Sequence, residues 1–169
     1  TDAVMLSAET AAGQYPVETV EAMASICLEA ERAEEVTIDA DFTNKRFGRI
    51  DQSIAMGALF TAYHLGCKAI LALTESGSTA LWMSRYRSHV PIYGLTSQVT
   101  SQRRMALDRN VSPLLMPNFG DRDQALAAAE KILVDRGVLK PGDTYAITCG
   151  EPMGYPGGTN MLKVCRVGG

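Results

Sequence analysis

Apolar runs of strand length alternate with segments of helical periodicity from residue 50 onward, and this alternation restricts the fold more than any other feature. Four apolar runs predict strands: 69–73, 91–95, 111–116 and 143–149. Four helices are predicted before and between them: 50–65, 78–88, 99–109 and 121–136. Continuously apolar strands that alternate with helices are typical of a parallel sheet covered on both faces. The sequence therefore predicts an α/β domain.

The end of the chain adds one more predicted strand, at 161–167. It follows the strand at 143–149 without an intervening helix, so it should pair antiparallel with its neighbour. The predicted sheet therefore has five strands and is mostly parallel, with helices on both faces and an antiparallel last strand.

The first 49 residues lie outside this alternation. The apolar run at 3–6 predicts a buried strand, and a small-residue turn leads from it into a helix. This helix is predicted to begin near Pro16, where the missing N–H of proline costs nothing, and to end near Glu34. The segment after it is polar and aperiodic, which predicts a linker. The predicted organisation has three parts: a β/α unit at 1–35, a linker at 36–49 and the α/β domain at 50–169.

Composition and charge exclude two classes of partner. The net charge is −3, whereas a protein that binds nucleic acid needs a basic face. No apolar run approaches the roughly 20 residues required to span a bilayer. The sequence therefore predicts a globular chain with neither nucleic acid nor membrane as a partner.

The four cysteines are predicted to be free. Cys27, Cys67, Cys149 and Cys165 have no CxxC spacing and lie in apolar segments. Buried thiols in a reducing cytoplasm are the expected state of such residues, rather than disulfides or metal ligands. His64 has no carboxylate or second histidine spaced to share a metal, so no metal site is predicted in the chain.

Two loops are predicted at the carboxyl ends of strands, which is where open parallel sheets bind ligands. The hydroxyl loop (residues 74–79) is rich in Ser and Thr and leads directly into a helix. The glycine loop (residues 150–160) contains four glycines, which let the backbone approach a ligand closely. Together the loops favour a phosphate-bearing ligand. The structural alternatives are a simple Ser or Thr helix cap for the first loop and a mobile hairpin connection for the second.

Short motifs along the chain resemble pyruvate kinases in their order and spacing. The segment 5–16 (Met-Leu-Ser-Ala-Glu-Thr-Ala-Ala-Gly-Gln-Tyr-Pro) resembles the last β/α unit of that family's catalytic (β/α)8 barrel. Other segments resemble the family's C-terminal regulatory domain: 53–56, 73–80, 85–87, 140–143 and 158–160. The resemblance implies the C-terminal portion of a bacterial pyruvate kinase, in which a fragment of the barrel precedes the regulatory domain.

The resemblance implies an activity for the parent enzyme. Pyruvate kinases transfer the phosphoryl group of phosphoenolpyruvate to ADP in glycolysis, in the cytoplasm, with Mg²⁺ and K⁺ as cofactors. The family's catalytic lysine, phosphate-binding arginine and metal-binding carboxylates would all precede residue 1, so the chain alone is expected to be inactive. Ser7 is implied as a supporting residue at the edge of the active-site cleft. The alternative is that Ser7, Glu9 and Thr10 only shape the turn before the helix.

The resemblance also implies allosteric regulation by a phosphorylated small molecule, in a homotetramer assembled through helices of this domain and its last strand. The implied effector-binding residues lie in both loops: Thr74, Glu75, Ser76, Gly77, Ser78, Thr79, Gly157 and Gly158. Relatives that respond to fructose 1,6-bisphosphate often carry Lys at the position of Glu75 and Arg or Lys at that of Ser78. Both departures remove positive charge beside a phosphate. The expected effector is therefore a sugar monophosphate, such as glucose 6-phosphate or ribose 5-phosphate, or AMP.

One other kind of protein remains as an alternative, and a further one fails on its first loop. A free-standing module that senses phosphorylated metabolites or binds a partner, without catalysis, would be expected to begin near Phe47 with a methionine. A nucleotide-binding oxidoreductase of the doubly wound class would carry G-x-G-x-x-G after its first strand, and the hydroxyl loop lacks that pattern.

Overall fold

The computed structural model describes residues 3–33 and 46–169. The chain divides into two compact units, Thr1–Thr37 and Ile38–Gly169. The predicted linker at 36–49 lies outside the described residues except for its last four positions. Within the described residues, no helix is long and apolar enough to cross a membrane.

The described part of the first unit contains two helices, α1 (Ala8–Ala11) and α2 (Pro16–Ala33). The helix predicted from Pro16 is confirmed, whereas the strand predicted at 3–6 is not formed. Val4 and Met5 are 56% and 86% exposed. A strand is held by the ladder of hydrogen bonds to a neighbouring strand, and the described part of this unit contains none.

The second unit alternates helices and strands as the periodicity predicts. Its helices are α3 (Ile50–His64), α4 (Ser78–Ser84), α5 (Val99–Met105) and α6 (Arg122–Asp135). Its strands are β1 (Ile70–Leu73), β2 (Ile92–Thr96), β3 (Val111–Leu115), β4 (Thr144–Gly150) and β5 (Thr159–Arg166).

The five strands form one sheet in the order β3-β2-β1-β4-β5. The pairs β3–β2, β2–β1 and β1–β4 are parallel, and β4–β5 is antiparallel. The predicted mostly parallel sheet with an antiparallel last strand is therefore confirmed. Pro113 lies within β3, which is tolerated because β3 is an edge strand and needs no second partner.

Apolar side chains cover both faces of the sheet. On one face, helices α3, α4 and α5 bury residues such as Met56, Met83 and Met105 against Ile70 of β1. On the other face, α6 buries Leu133 and its apolar neighbours against a separate cluster that includes Leu71. Successive residues of β1 thus contribute to opposite cores, as the alternation of side chains along a strand requires.

Two helices are shorter than the periodicity predicts. Helix α4 ends at Ser84 rather than 88, and α5 ends at Met105 rather than 109. Both ends tighten into i→i−3 hydrogen bonds, in which the N–H of Tyr86 donates to the carbonyl of Met83 and that of Asp108 to Met105. Such tightening of a last turn is common and leaves little signal in the pattern of side chains.

Candidate functional site

The carboxyl ends of β1 and β4 meet at the position where the strand order of the sheet reverses. Strand β1 pairs with β2 on one side and with β4 on the other, and the chain leaves β1 through the hydroxyl loop and β4 through the glycine loop. A shallow crevice, with an enclosed volume of about 40 Å³ and otherwise open to solvent, lies at this edge. Its lining includes Thr74, Glu75, Ser97, Asn118, Phe119 and Gly157. Crevices at such reversal points are the usual ligand sites of open α/β sheets.

The hydroxyl loop is a tight turn held by its own side chains. The Oγ1 atom of Thr74 accepts the backbone N–H of Gly77 at 3.0 Å. The hydroxyl of Ser76 lies 3.2 Å from that of Ser78 and accepts the N–H of Ser78 at 3.4 Å. Gly77 has a φ of +83°, in the left-handed region that glycine adopts without strain, and α4 begins at the next residue. The turn leaves the side chains of Thr74, Ser76 and Ser78 half-buried.

Thr79 occupies a different place from the one that the sequence suggests. It is fully buried, and its hydroxyl lies 2.7 Å from the hydroxyl of Thr159, the first residue of β5. Its side chain is therefore engaged inside the protein and does not face the crevice. The hydrogen bond instead joins the hydroxyl loop to the end of the glycine loop.

Glu75 presents a carboxylate to the crevice. Its backbone carbonyl accepts the hydroxyls of Ser101 at 2.6 Å and Thr96 at 3.3 Å, which fixes the loop against the end of β2 and against helix α5. Its carboxylate accepts the Ser97 hydroxyl at 3.3 Å and the Gln98 amide at 3.5 Å. These partners are neutral, so the negative charge of Glu75 is not balanced by them.

The glycine loop is closed at its base by one side chain. The amide of Asn160 accepts the N–H of Glu151 at 2.9 Å and donates to the carbonyl of the same residue at 2.7 Å. Within the loop, the N–H of Gly158 donates to the carbonyl of Tyr155 at 3.0 Å. Gly157 lines both the crevice and an adjoining surface hollow beside Ile50, whereas Gly158 lines only the hollow. Of the two glycines expected at the site, the structure thus places one in the crevice.

Two arginines lie beside the glycine loop, and each is paired with a carboxylate. Arg122, the first residue of α6, donates to Glu151 at 2.6 Å and to Asp123 at 2.9 Å. Arg49, the residue before α3, donates to both carboxylate oxygens of Asp51 at 2.9 and 2.8 Å. These hydrogen bonds raise the pKa of both guanidinium groups and lower that of Asp51. A ligand at this edge therefore meets cations whose charge is already largely compensated.

The comparisons with known proteins identify the family. The family model described as "Pyruvate kinase, alpha/beta domain" matches residues 52–165. The chain belongs to the pyruvate kinase family. Similar relatives include the pyruvate kinase of Buchnera aphidicola subsp. Baizongia pistaciae, 40% identical over 98% of the chain, and pyruvate kinase II of Salmonella typhimurium, 42% identical over 99%. The chain spans about a third of the length of these relatives, 35% in both cases.

A solved structure supports the fold. A crystal structure of a pyruvate kinase from Cryptosporidium parvum matches 96% of this chain and 32% of its own, with a TM-score of 0.80 and 24% sequence identity. This match confirms the α/β architecture, and the family model over residues 52–165 confirms the resemblance of the sequence to pyruvate kinases.

Ser7, the residue that the family resemblance places near an active site, lies in the first unit. Its side chain is exposed, and its backbone N–H donates to the carboxylate of Glu9 at 2.9 Å. The hydroxyl of Thr10 donates to the Ser7 carbonyl at 3.3 Å. These hydrogen bonds shape the turn before α1. Within residues 3–33 and 46–169, no three or more His, Cys, Asp and Glu side chains cluster so as to hold a metal ion.

Sequence reasoning missed the pairing of Arg49 with Asp51 at this site. The signal available was an arginine two residues before an aspartate, at the start of a predicted helix and after a polar segment. That pattern does not reveal that the pair lies against the glycine loop, about a hundred residues further along the chain.

Proposed function

We propose that this chain is the regulatory C-terminal part of a pyruvate kinase and that its crevice binds a monophosphorylated effector. The parent enzyme would transfer the phosphoryl group of phosphoenolpyruvate to ADP in cytoplasmic glycolysis, with Mg²⁺ and K⁺ bound outside this chain. The observation that carries the effector role is the crevice at the reversal point of a pyruvate kinase α/β domain, between a loop of hydroxyls and a loop of glycines.

The hydroxyl loop can supply donors to a phosphate at the rim of the crevice. Ser76 and Ser78 lie on the half-buried turn with their hydroxyls close to each other. The hydroxyl of Thr74 accepts the N–H of Gly77, so its own hydrogen remains available to donate. Hydrogen bonds to a charged group contribute roughly 1.5–3 kcal/mol each. Thr79 takes no direct part in this proposal, because its hydroxyl holds Thr159.

The rest of the ligand would lie in the crevice itself. In the lining, Asn118 provides an amide and Phe119 a half-buried ring, and Gly157 leaves room for close approach. A sugar or a nucleoside carries both the hydroxyls and the apolar faces that such a lining accepts.

Charge favours one phosphate over two. The carboxylate of Glu75 stands in the crevice with neutral partners, and the nearby Arg49 and Arg122 are already paired. A second phosphate would bring more negative charge next to Glu75 without a new cation. A sugar monophosphate or AMP should therefore bind more tightly than fructose 1,6-bisphosphate.

Self-association is the second part of the proposal. Helix α3 exposes Phe60 and Tyr63, which are 42% and 45% exposed, and Leu65 follows directly after it. The edge strand β5 has no partner on its outer side among the described strands, and Val164 on it is exposed. Exposed apolar side chains and an open strand edge suit a contact between copies of the chain, as in a homotetramer.

Titration calorimetry tests the effector site. The chain and its Glu75→Lys variant are titrated with glucose 6-phosphate, ribose 5-phosphate, AMP and fructose 1,6-bisphosphate. We expect the unaltered chain to prefer a monophosphate, and Glu75→Lys to tighten the bisphosphate by at least about fivefold, because a like charge becomes an opposite one. Glu29→Lys on α2 changes the net charge equally and should leave every affinity unchanged. Tight bisphosphate binding by the unaltered chain, unaffected by Glu75→Lys, would refute the charge argument.

A further inference from the structure

The pair formed by Arg49 and Asp51 is built more firmly than a surface ion pair. The guanidinium grips the carboxylate with two parallel hydrogen bonds, Nε to Oδ1 at 2.9 Å and Nη2 to Oδ2 at 2.8 Å. The Asp51 residue is only 2% exposed, while the side chain of Arg49 is 55% exposed. A bidentate fork fixes the orientation of the guanidinium as well as its position.

The residues around Asp51 hold its carboxylate in the position from which it pairs with Arg49. Its Oδ1 atom also accepts the N–H of Gln52 at 2.9 Å, at the start of α3. The Nε1 atom of Trp82 is buried without a hydrogen bond of good geometry, yet it lies near enough to help lower the pKa of Asp51. A buried carboxylate without its cation would be strongly unfavourable, so the fork of Arg49 is held in place from the inside of the protein.

The Nη2–Oδ2 side of this fork lies beside the glycine loop. A Cβ atom placed on Gly157 would lie 3.1 Å from the Nη2 atom of Arg49 and 4.0 Å from the Oδ2 atom of Asp51. Gly157 also has a φ of +70°, which other residues adopt with strain. The loop at Gly157 therefore has little room for a side chain beside the ion pair.

We propose that Arg49 is a positioning residue, a latch that Asp51 orients from the core and that fixes the glycine loop over the crevice. The fork is central to this role, because the same guanidinium that satisfies a buried carboxylate also lies beside Gly157. Helix α3, on which Asp51 lies, packs on α4 and β5, so the latch ties the loop to the body of the domain. Nothing in this step depends on the identity of a ligand.

Amide hydrogen exchange of the chain measures the latch directly. The N–H of Gly158 donates to Tyr155 within the loop and reports its closed form. We expect Arg49→Gln and Asp51→Asn to speed this exchange by at least about fivefold, since contacting residues couple at this level. Arg49→Lys should behave like Arg49→Gln, because an ammonium group cannot form the fork. Lys131→Gln, which breaks an exposed ion pair on α6, is the matched control and should change nothing.

The results divide clearly. The amides of β1 and β4 report any loss of global stability in the variants. Exchange at Gly158 that speeds up by a larger factor than at these strand amides, in all three latch variants, supports the latch. Exchange within about twofold of the unaltered chain in Arg49→Gln, or full retention of protection in Arg49→Lys, would overturn it.

A second measurement guards against a variant that folds poorly. Gly157→Ala is made in the unaltered chain and in Arg49→Gln. Backbone strain at a positive φ is the same in both backgrounds, whereas the clash with the guanidinium exists only in the first. Gly157→Ala should therefore speed loop exchange more in the unaltered chain, and equal effects in both backgrounds would contradict the contact.

The consequence for ligand affinity rests on the proposed function. If the loop closes over a monophosphate, Arg49→Gln should weaken binding of AMP or glucose 6-phosphate, whichever the unaltered chain binds, by at least about fivefold. Failure of the unaltered chain to bind any of these probes would refute the proposed function and leave the exchange result standing. Faster exchange with unchanged affinity would instead refute the coupling of the latch to the ligand.

Discussion

A single buried hydrogen bond connects the two loops of the candidate site at the scale of residues. Thr79 and Thr159 are 80 positions apart, and their hydroxyls meet at 2.7 Å in a place closed to solvent. Each hydroxyl satisfies the other, which matters because a buried polar group without a partner is costly. Thr79 therefore acts on the site indirectly, because its hydrogen bond fixes the point at which the glycine loop rejoins the sheet.

Replacement of Thr79 by Val should destabilise the domain. Valine keeps the shape of the side chain but leaves the Thr159 hydroxyl without its partner, at a cost of about 1–3 kcal/mol. Urea unfolding gives the free energy. Thr79→Ser, which retains the hydroxyl, is the control for loss of the hydrogen bond. The double variant Thr79→Val, Thr159→Val should lose less than the sum of the two single changes, and strict additivity would contradict a direct bond.

At the scale of secondary-structure elements, the first turn of helix α3 carries a buried carboxylate. Asp51 lies in that turn, where carboxylates are favoured by the helix dipole, and the hydrogen bonds from Arg49 lower its pKa below the ordinary 3.8. A carboxyl whose pKa is lower in the folded than in the unfolded chain stabilises the folded state above its unfolded pKa. That contribution is lost as the pH falls through the folded value.

The pH dependence of the free energy of unfolding should therefore show the contribution of the Asp51 charge. We expect the free energy of unfolding of the unaltered chain to exceed that of Asp51→Asn near neutral pH, and the difference to shrink once the pH falls below about 4. Chemical denaturation between pH 7 and pH 2.5, over roughly the range in which carboxyl groups titrate, measures both curves. A difference that stays constant through this range would show that the charge of Asp51 contributes nothing.

The two compact units differ in how well they bury their residues, at the scale of the whole molecule. None of residues 3–32 is buried, and Val17, Val20 and Ile26 on α2 are more than half exposed. The second unit has an apolar core on each face of its sheet. Elements with few buried contacts open at low free energy.

Amide exchange should separate the units in the isolated chain. We expect the amides of α2 to exchange much faster than those of β1 and β4, in a monomeric sample of the same preparation. The central strands are the internal reference for each spectrum. Equal protection of α2 and of these strands would contradict the expectation.

The chain by itself should show no pyruvate kinase activity. The family resemblance places the catalytic lysine, the phosphate-binding arginine and the metal-binding carboxylates outside this sequence. A coupled assay with phosphoenolpyruvate, ADP, Mg²⁺ and K⁺ measures turnover, with a full-length relative as the positive control. Turnover that rises in proportion to the purified chain would overturn the assignment of chemistry to the missing part.

The second unit could be predicted well from the sequence because its determinants are local. Continuous apolar runs define each strand, and helical spacing defines the segments between them, so the elements appear in the right order. The absence of a helix between β4 and β5 was enough to predict their antiparallel pairing. The hydroxyl and glycine loops stood out for the same reason, since their unusual composition is contiguous in the chain.

What only the tertiary structure decided concerns residues that are distant in sequence. The sequence predicts that the Thr79 hydroxyl faces a ligand. In the structure Thr79 is buried and its hydroxyl bonds that of Thr159, at the start of β5. The pairing of Arg49 with Asp51 is local, yet its contact with Gly157 depends on how α3 packs against the sheet. The apolar run at 3–6 is a case in which a local pattern is not sufficient. Apolar residues form a strand only when a partner strand is there to complete the ladder of hydrogen bonds. Local pattern thus determined the elements of this protein, and packing between distant segments decided which side chains face the crevice.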